Sequence, residues 1–246
     1  MTTMLLLSAG LPIGAVVGSY ASTAALRAGR GEQAWVGRSR CDGCQRVLGF
    51  SETLPVLSFL LRGGACRACA APIDRIHPVG EILGVAVVAL AFLAAAPMRA
   101  ALLSVIGLVL LGSALIDART RRLPDVLTGA TAIAGAILAW TRSPFDLALG
   151  LIAAVVAFGL LQVVRLAFRA RRGHDGLGFG DVKLIAALCL WLGPAMAWAV
   201  VAAGLIGLAA MAVVRPHDGR MPFGPAIALG AWSVGLCLEA GLWPAA

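Results

Sequence analysis

Long apolar stretches recur along the whole chain, and they constrain its fold more than any other feature. A helix that crosses a bilayer needs about 20 mostly apolar residues, with a range of about 17–25. The stretches that approach or reach this length are Met4–Leu26, Val79–Ala96, Ala100–Ile116, Val126–Trp140, Leu147–Phe168, Val182–Leu192, Ala195–Val214 and Phe223–Leu242. Only 13% of the residues are charged, about half the share in soluble domains. The sequence therefore predicts an all-α polytopic membrane protein with about eight transmembrane helices, and the two shortest stretches leave a lower count open.

The distribution of basic residues predicts how these helices are oriented. Lys and Arg total 20 against 12 Asp and Glu, for a formal charge of +8. Eight crossings place the Arg-rich segments 27–78, 117–125, 169–181 and 215–221 on one side, which the positive-inside rule assigns to the cytoplasm. The apolar composition argues against a nucleic-acid-binding domain. No Lys or Arg precedes the first stretch, which favours a membrane anchor over a signal peptide.

Segment 27–78 contains no long apolar run but holds two C-x-x-C pairs, Cys41/Cys44 and Cys66/Cys69, with 21 residues between them. Two such turns can complete a tetrahedral zinc site of four thiolates, which would replace a hydrophobic core in so small a domain. Two disulfides or a redox motif are the alternatives, although stable disulfides are rare in the cytoplasm. We predict three regions: a first transmembrane helix (1–26), a cytoplasmic zinc-ribbon-like domain (27–78) and a transmembrane domain that contains the remaining apolar stretches (79–246).

Two aspartates lie where apolar stretches meet the predicted cytoplasmic face. Asp117 follows the stretch that ends at Ile116, and Asp181 precedes the one that begins at Val182. Ionisable residues at such positions are costly and point to function. Two carboxyl groups at the same depth can meet in a helix bundle, share one proton and hydrolyse a peptide without a metal. Neighbouring glycines would let the backbone turn tightly and an extended peptide approach Asp181.

Other interpretations of these residues remain open. Asp117 could pair with Arg121 or Arg122 at a helix end, and Asp181 could cap the following helix. The protein would then be a non-enzymatic zinc-bearing membrane assembly factor. A third class is a proton-coupled transporter that uses both aspartates, but the internal repeats expected of a transporter are not visible.

The motifs together resemble those of bacterial prepilin peptidases, or type IV leader peptidases, which are polytopic aspartic proteases of the inner membrane. The shared motifs are Gly18-Ser19-Tyr20, the cysteine pairs with Leu54-Pro55-Val56-Leu57-Ser58 between them, Pro72-Ile73, Pro78-Val79-Gly80-Glu81, Asp117, Leu123-Pro124-Asp125, Gly178-Phe179-Gly180-Asp181-Val182-Lys183-Leu184 and Pro222-Phe223-Gly224-Pro225. The resemblance spans nearly the whole chain, and its aspartate motifs are the most specific part.

The resemblance implies an active site and a substrate. The catalytic pair falls on Asp117 and Asp181, and the metal ligands fall on the four cysteines. The residues that support the catalytic pair are Pro124, Asp125, Gly178, Gly180 and Lys183. Family members cleave a basic leader after a glycine from type IV prepilins or pseudopilins. The implied partners are therefore the leader peptide and the lipid bilayer, and the implied location is the bacterial cytoplasmic membrane, with the active site on its cytoplasmic side.

The resemblance also implies a second activity. Many members methylate the new amino terminus with S-adenosylmethionine as co-substrate, an activity associated with the amino-terminal domain, where Glu81 matches an acidic residue. The chain departs from the family pattern in this region: Ala21-Ser22 stands in place of Leu-Asn, and His77 in place of an aromatic residue. We therefore expect methylation to be weaker than proteolysis.

Overall fold

The computed structural model describes residues 2–174, 176–214 and 221–242, so most of the predicted basic loop 215–221 lies outside the described ranges. Its helices are α1 Thr2–Gly29, α2 Leu57–Leu61, α3 Ile76–Ala94, α4 Pro97–Thr120, α5 Asp125–Arg142, α6 Pro144–Arg172, α7 Phe179–Leu192, α8 Met196–Val214 and α9 Gly224–Glu239. These ranges contain two isolated β-bridges and no strand. Every predicted transmembrane stretch overlaps one helix of 14 to 29 residues, which confirms the all-α membrane fold.

Within the described residues, five helical segments are long and apolar enough to cross a membrane: Thr3–Gly29, Ile76–Ala94, Pro97–Thr120, Pro144–Arg172 and Phe179–Val214. The last of these has 36 residues and covers two of the predicted stretches. It is divided into α7 and α8 by the 3₁₀ turn Gly193–Ala195, where Gly193 has a φ of +52° and Pro194 lacks the N–H that would continue the helix. Helices α5 and α9 are shorter, with 18 and 16 residues.

Helices α1 and α3 pack with their backbones in direct contact because glycines face each other across the interface. A Cβ added to Gly18 would lie 2.1 Å from the carbonyl oxygen of Gly80, and one added to Gly84 would lie 2.0 Å from that of Gly14. The glycines are four residues apart on each helix, the spacing by which small residues let membrane helices approach closely. The pair therefore holds the two ends of the cysteine-containing segment together.

The main core lies among α4, α5, α7, α8 and α9. Trp191 of α7 is fully buried at its centre, and a Cβ added to Gly235 of α9 would lie 2.1 Å from its ring. Helix α6 is peripheral and exposes apolar side chains along most of its length, including Leu151 and Val155. A helix that is apolar all round fits contact with lipid.

A buried ion cluster joins four helices at the end of the bundle opposite Asp117. Glu239 of α9 is 3% exposed and pairs with Arg99 of α4 at 2.5 Å and with Arg142 of α5 at 3.6 Å. The indole N–H of Trp191 donates to the same carboxylate at 3.3 Å. A buried carboxylate needs such partners to offset its desolvation, so the cluster ties the ends of α4, α5, α7 and α9 together.

Candidate functional site

Helices α4 and α9 together position Asp117. The side chain is 4% exposed and lies one turn before the end of α4. Its Oδ2 accepts a hydrogen bond of 2.8 Å from the backbone N–H of Gly224. Gly224 is the first residue of α9, where backbone N–H groups have no partner within their own helix. The contact to Asp117 is therefore made by a helix N-terminus.

Gly224 is a site residue whose role the sequence did not reveal. A Cβ at this position would lie 2.7 Å from Oδ2 of Asp117 and 2.9 Å from its Cγ. Any side chain would thus displace the carboxylate that the backbone holds. Gly224 belongs to the late Pro-Phe-Gly-Pro motif of the sequence. Nothing in the sequence connects that motif to Asp117, which lies 107 residues earlier.

Asp181 lies in the first turn of α7, three residues after the N-cap residue Gly178. A Cβ at Gly178 would lie 2.9 Å from Oδ2 of Asp181, and one at Gly180 would lie 3.1 Å from Cβ of Leu123. The φ of Gly178 is −64°, which any residue adopts. Glycine is needed at these positions because a side chain would contact the carboxylate of Asp181 or the loop after α4.

The other motif residues link α5 to α7 beside the two aspartates. Pro124 is the N-cap residue of α5, and Asp125, its first residue, pairs with Lys183 of α7. Nζ of Lys183 also lies 5.0 Å from the ring centroid of Phe179, over which Arg165 of α6 lies at 5.2 Å. Asp125 is largely exposed. The ion pair therefore sits at the rim, where it joins the starts of two helices.

The four cysteines converge on one point. All four Sγ atoms lie within 4.8 Å of one another, and those of Cys41 and Cys69 are 3.7 Å apart. Four thiolates around one zinc ion at about 2.3 Å are about 3.8 Å apart, whereas a disulfide needs about 2.05 Å. All six cysteines of the chain are free. The cluster has the geometry of a four-thiolate metal site.

The two C-x-x-C turns have the same backbone conformation. The N–H of Gln45 donates to the carbonyl of Cys41, and the N–H of Ala70 to that of Cys66, both at 2.9 Å. Gln45 and Ala70 have φ values of +56° and +57°, in the left-handed region that a tight turn of this kind requires. The two turns thus form matching halves of one site.

Electrostatics around the cluster favour a bound cation. Backbone N–H groups of Cys69 and Ala68 lower the pKa of the Cys66 thiol to about 6. The N–H of Ala71 favours the thiolate of Cys69, but burial and the neighbouring thiols raise the pKa of Cys69 to about 11. Four thiolates at this separation can coexist only with a cation between them. The donor set therefore fits the predicted zinc.

A cavity of about 340 Å³ lies between the cysteine-containing segment and helices α1 and α3. Glu81 of α3, which is 6% exposed, lines its wall. The hydroxyl of Ser19 donates to Oε1 of Glu81 at 2.6 Å, and the N–H of Val56 donates to Oε2 at 2.6 Å. Glu81 thus joins α1, α3 and the loop before α2. His77 also lines the cavity.

Helix α1 separates this cavity from the helix that carries Asp117. Ser19, Thr23 and Leu26 line the cavity from one face of α1. Ala24 and Ala25 are fully buried in a cluster with Ile116 of α4. At 100° per residue, the two sets point in nearly opposite directions from the helix axis. The cavity and the aspartate pair are therefore separate sites.

Comparison with known proteins identifies the family. Residues 13–95 match the bacterial peptidase A24 N-terminal domain, and residues 102–213 match the type IV leader peptidase family. The first match comprises most of α1, the cysteine-containing segment and α3, which the structure shows packed together. No solved structure shows significant similarity to the chain.

Several curated relatives cover most of the chain. A "Prepilin leader peptidase/N-methyltransferase" of Burkholderia pseudomallei is 37% identical over 79% of the chain, which spans 65% of that relative's length. A "Type 4 prepilin-like proteins leader peptide-processing enzyme" of Escherichia coli is 32% identical over 78% of the chain and 73% of the relative. A "Prepilin leader peptidase/N-methyltransferase" of Neisseria gonorrhoeae is 32% identical over 80% and 70%. These matches confirm the resemblance that the motifs predict: the chain belongs to the type IV leader peptidase family.

Proposed function

We propose that the protein is a membrane aspartic peptidase that removes the basic leader from type IV prepilins or pseudopilins. The proposal is supported by the packing of the start of α7, which carries Asp181, against the loop that follows Asp117: Gly180 lies against Leu123, and Lys183 pairs with Asp125. Asp117 itself is held by the N–H of Gly224. The names of the relatives from Burkholderia and Escherichia support the substrate class. The alternatives of an assembly factor and a transporter have no comparable support.

In the proposed reaction, the two carboxyl groups divide acid and base catalysis between them. Close carboxylates retain one proton between them, so the pair starts with one base and one acid. The carboxylate takes a proton from water as the water oxygen attacks the carbonyl carbon of the scissile peptide, and the carboxylic acid protonates the carbonyl oxygen. Collapse of the tetrahedral intermediate breaks the C–N bond, and the leaving nitrogen receives a proton.

We place this reaction at the cytoplasmic face of the bacterial inner membrane. Arg119 of α4, two residues after Asp117, hydrogen bonds to Asp74 just before α3, so the cysteine-containing segment and Asp117 share one end of the bundle. The eight crossings predicted from the sequence would bring the Arg-rich segments 27–78, 117–125, 169–181 and 215–221 to this same end. The positive-inside rule supports a cytoplasmic location for this end.

The aspartate pair is tested by cleavage of a prepilin that carries a basic leader, with the purified protein in lipid nanodiscs. Asp117→Asn and Asp181→Asn should each lower kcat by about 10²–10⁴-fold, because one carboxyl group cannot serve as both acid and base. Asp125→Asn, at the exposed rim, should have a much smaller effect. Unchanged metal content would show that each variant is folded. Cleavage by either Asn variant at near wild-type rate would exclude the proposed pair.

We also propose that the cysteine cluster binds a structural zinc ion and that the cavity beside it binds S-adenosylmethionine for N-methylation of the new amino terminus. The names of the relatives include N-methyltransferase. Ser22 is not among the residues that line the cavity, and its hydroxyl donates to the carbonyls of Gly18 and Ile76. Of the three departures from the family pattern, His77 alone lines the cavity. Ala21 and Ser22 therefore leave its lining intact.

Mass spectrometry of the processed pilin tests this second activity. Glu81→Gln should reduce methylation while cleavage continues, because it removes the buried negative charge from the cavity wall and leaves one side-chain oxygen to accept where the carboxylate has two. Asp125→Asn serves as the control, because its side chain is remote from the cavity lining. An unmethylated product from the wild-type protein would exclude the activity, and full methylation by Glu81→Gln would exclude this role of Glu81.

A further inference from the structure

The short helix α2 carries an apolar face that nothing in the described structure covers. Leu57, Leu60 and Leu61 are exposed, the last two at 69% and 77%. At 100° per residue these three side chains project from one face, whereas Phe59 projects from the opposite face and lines the cavity. Exposed apolar patches outside a membrane span mark a binding surface.

The hydrogen bond of Glu81 fixes the depth of this surface. Helix α3 has 19 residues, which at about 1.5 Å per residue matches the roughly 30 Å of a hydrocarbon core and leaves no excess length. Glu81 lies five residues after the start of α3, about 7.5 Å along the axis. Its Oε2 accepts the N–H of Val56, the residue that immediately precedes α2. The start of α2 therefore lies beside α3, at a level inside the membrane boundary.

Charge at the edge of α2 fits the same location. A groove of about 550 Å³ beside α2 is lined by the apolar side chains of Leu54, Leu57 and Leu61 and by the basic residues Arg62 and Arg67. Arg62 is paired with Glu52. Arg67 is exposed, and within the described ranges it has no ion-pair partner. A groove that combines apolar side chains with an unpaired guanidinium matches the chemistry of an acyl chain with an anionic headgroup.

We propose that α2 and the adjoining groove form an interfacial membrane anchor of the cysteine-containing segment. The leucines lie in the acyl region of the cytoplasmic leaflet, at the depth of about 5–10 Å typical of interfacial helices, and Arg67 contacts an anionic lipid phosphate. The anchor fixes the segment against the bundle from the lipid side, while Glu81 fixes it from the protein side. This role is independent of both proposed catalytic activities.

Site-specific photo-crosslinking of the full-length protein in nanodiscs tests the proposal. A diazirine amino acid is placed at Leu60 or at Leu61, at Leu151 on the lipid-facing side of α6 as the positive control, and at Gln45 as the aqueous control. Gln45 bonds to the carbonyl of Asp42, and Asp42 pairs with Arg30 beyond the end of α1. Along the axis of α1, this ion pair lies about 15 Å beyond the level of Ser19 and Glu81, toward the cytoplasm in the proposed orientation. Retained zinc shows that each labelled protein is folded.

The expected result is a mass increase of one phospholipid on peptides labelled at Leu60 or Leu61, as at Leu151, and none at Gln45. Arg67→Gln should lower the adduct yield with phosphatidylglycerol by about fivefold relative to phosphatidylcholine, as expected for one basic residue at an anionic surface. Lipid adducts at Leu151 without adducts at Leu60 or Leu61 would overturn the proposal. Adducts at Leu60 and Leu61 only to added prepilin, or to a second copy of the chain, would overturn it as well.

Discussion

At the scale of single residues, glycine does as much as the aspartates to build the site. Gly224 brings a backbone N–H to Oδ2 of Asp117, and Gly178 lets the backbone pass close to Asp181. A carboxylate held by a helix N-terminus is stabilised as an anion and fixed in direction. The position of the Asp117 carboxylate therefore depends on Gly224, a residue that has no side chain.

Gly224→Ala should lower kcat for prepilin cleavage by about 100-fold with little change in KM. The added Cβ would lie 2.7 Å from Oδ2 of Asp117, and a displacement of about 1 Å at a reacting group costs about that factor. Gly204→Ala on α8 is the matched control, because a Cβ there meets no atom within 4 Å. Steady-state kinetics of both variants decide the matter. A Gly224→Ala enzyme with wild-type kcat would show that the hydrogen bond does not position Asp117 for catalysis.

At the scale of elements, the close pair α1 and α3 determines how the amino-terminal part is built. Backbone contact between Gly18 and Gly80 and between Gly14 and Gly84 leaves no room for side chains. Lipid offers no hydrophobic driving force for helix association, so such packing contacts carry the stability. The same contact brings Ser19 and Glu81 together and thereby closes the cavity.

Gly84→Ala should destabilise the protein by about 1–3 kcal/mol, the usual cost of overpacking. The new Cβ would lie 2.0 Å from a backbone oxygen of Gly14, which cannot move without shifting α1. Gly159→Ala on α6, where a Cβ meets nothing within 4 Å, should leave stability nearly unchanged. Denaturant unfolding in mixed micelles, followed by circular dichroism, measures the difference. Equal midpoints for the two variants would contradict the proposed packing role.

At the scale of the whole molecule, two sets of contacts stabilise the two ends of the helix bundle. The Glu239 cluster ties four helices at one end, and at the other end the cysteine-containing segment joins α1 to α3 and contacts α4 through Asp74 and Arg119. The segment has few buried apolar side chains, so we expect its order to depend on the proposed zinc ion. Loss of the metal should therefore loosen residues 27–78 without melting the bundle.

Metal analysis of the purified protein should find about one zinc ion per chain. Cys41→Ser combined with Cys44→Ser should abolish this zinc and increase hydrogen exchange in residues 27–78, because two of the four ligands are lost. Cys237→Ser is the control, since Cys237 lies on α9, away from the cluster. Zinc-free wild-type protein with thiols paired as disulfides would refute the metal site.

Much of the architecture follows from local sequence patterns. Hydropathy alone predicts the eight long helices, because a membrane span must satisfy its backbone within one continuous apolar segment. The C-x-x-C spacing predicts the cysteine cluster, because a two-residue gap places both thiols of one turn on the same side. Asp117 and Asp181 stand out singly, because an ionisable group at the edge of an apolar stretch is costly.

The tertiary structure alone decided which distant residues meet. No local pattern links Gly224 to Asp117, Glu81 to Val56, or Glu239 to Arg99, because these pairs lie on different elements and form only when the helices pack. The glycines at 14, 18, 80 and 84 show a spacing of four, yet the spacing does not name the partner helix. The sequence by itself determined the membrane fold, the cysteine cluster and the candidate aspartates, since each depends on local chemistry. Packing decided the orientation of the aspartates and the separation of the cavity from them, since both depend on which helix faces approach closely enough for backbone contact.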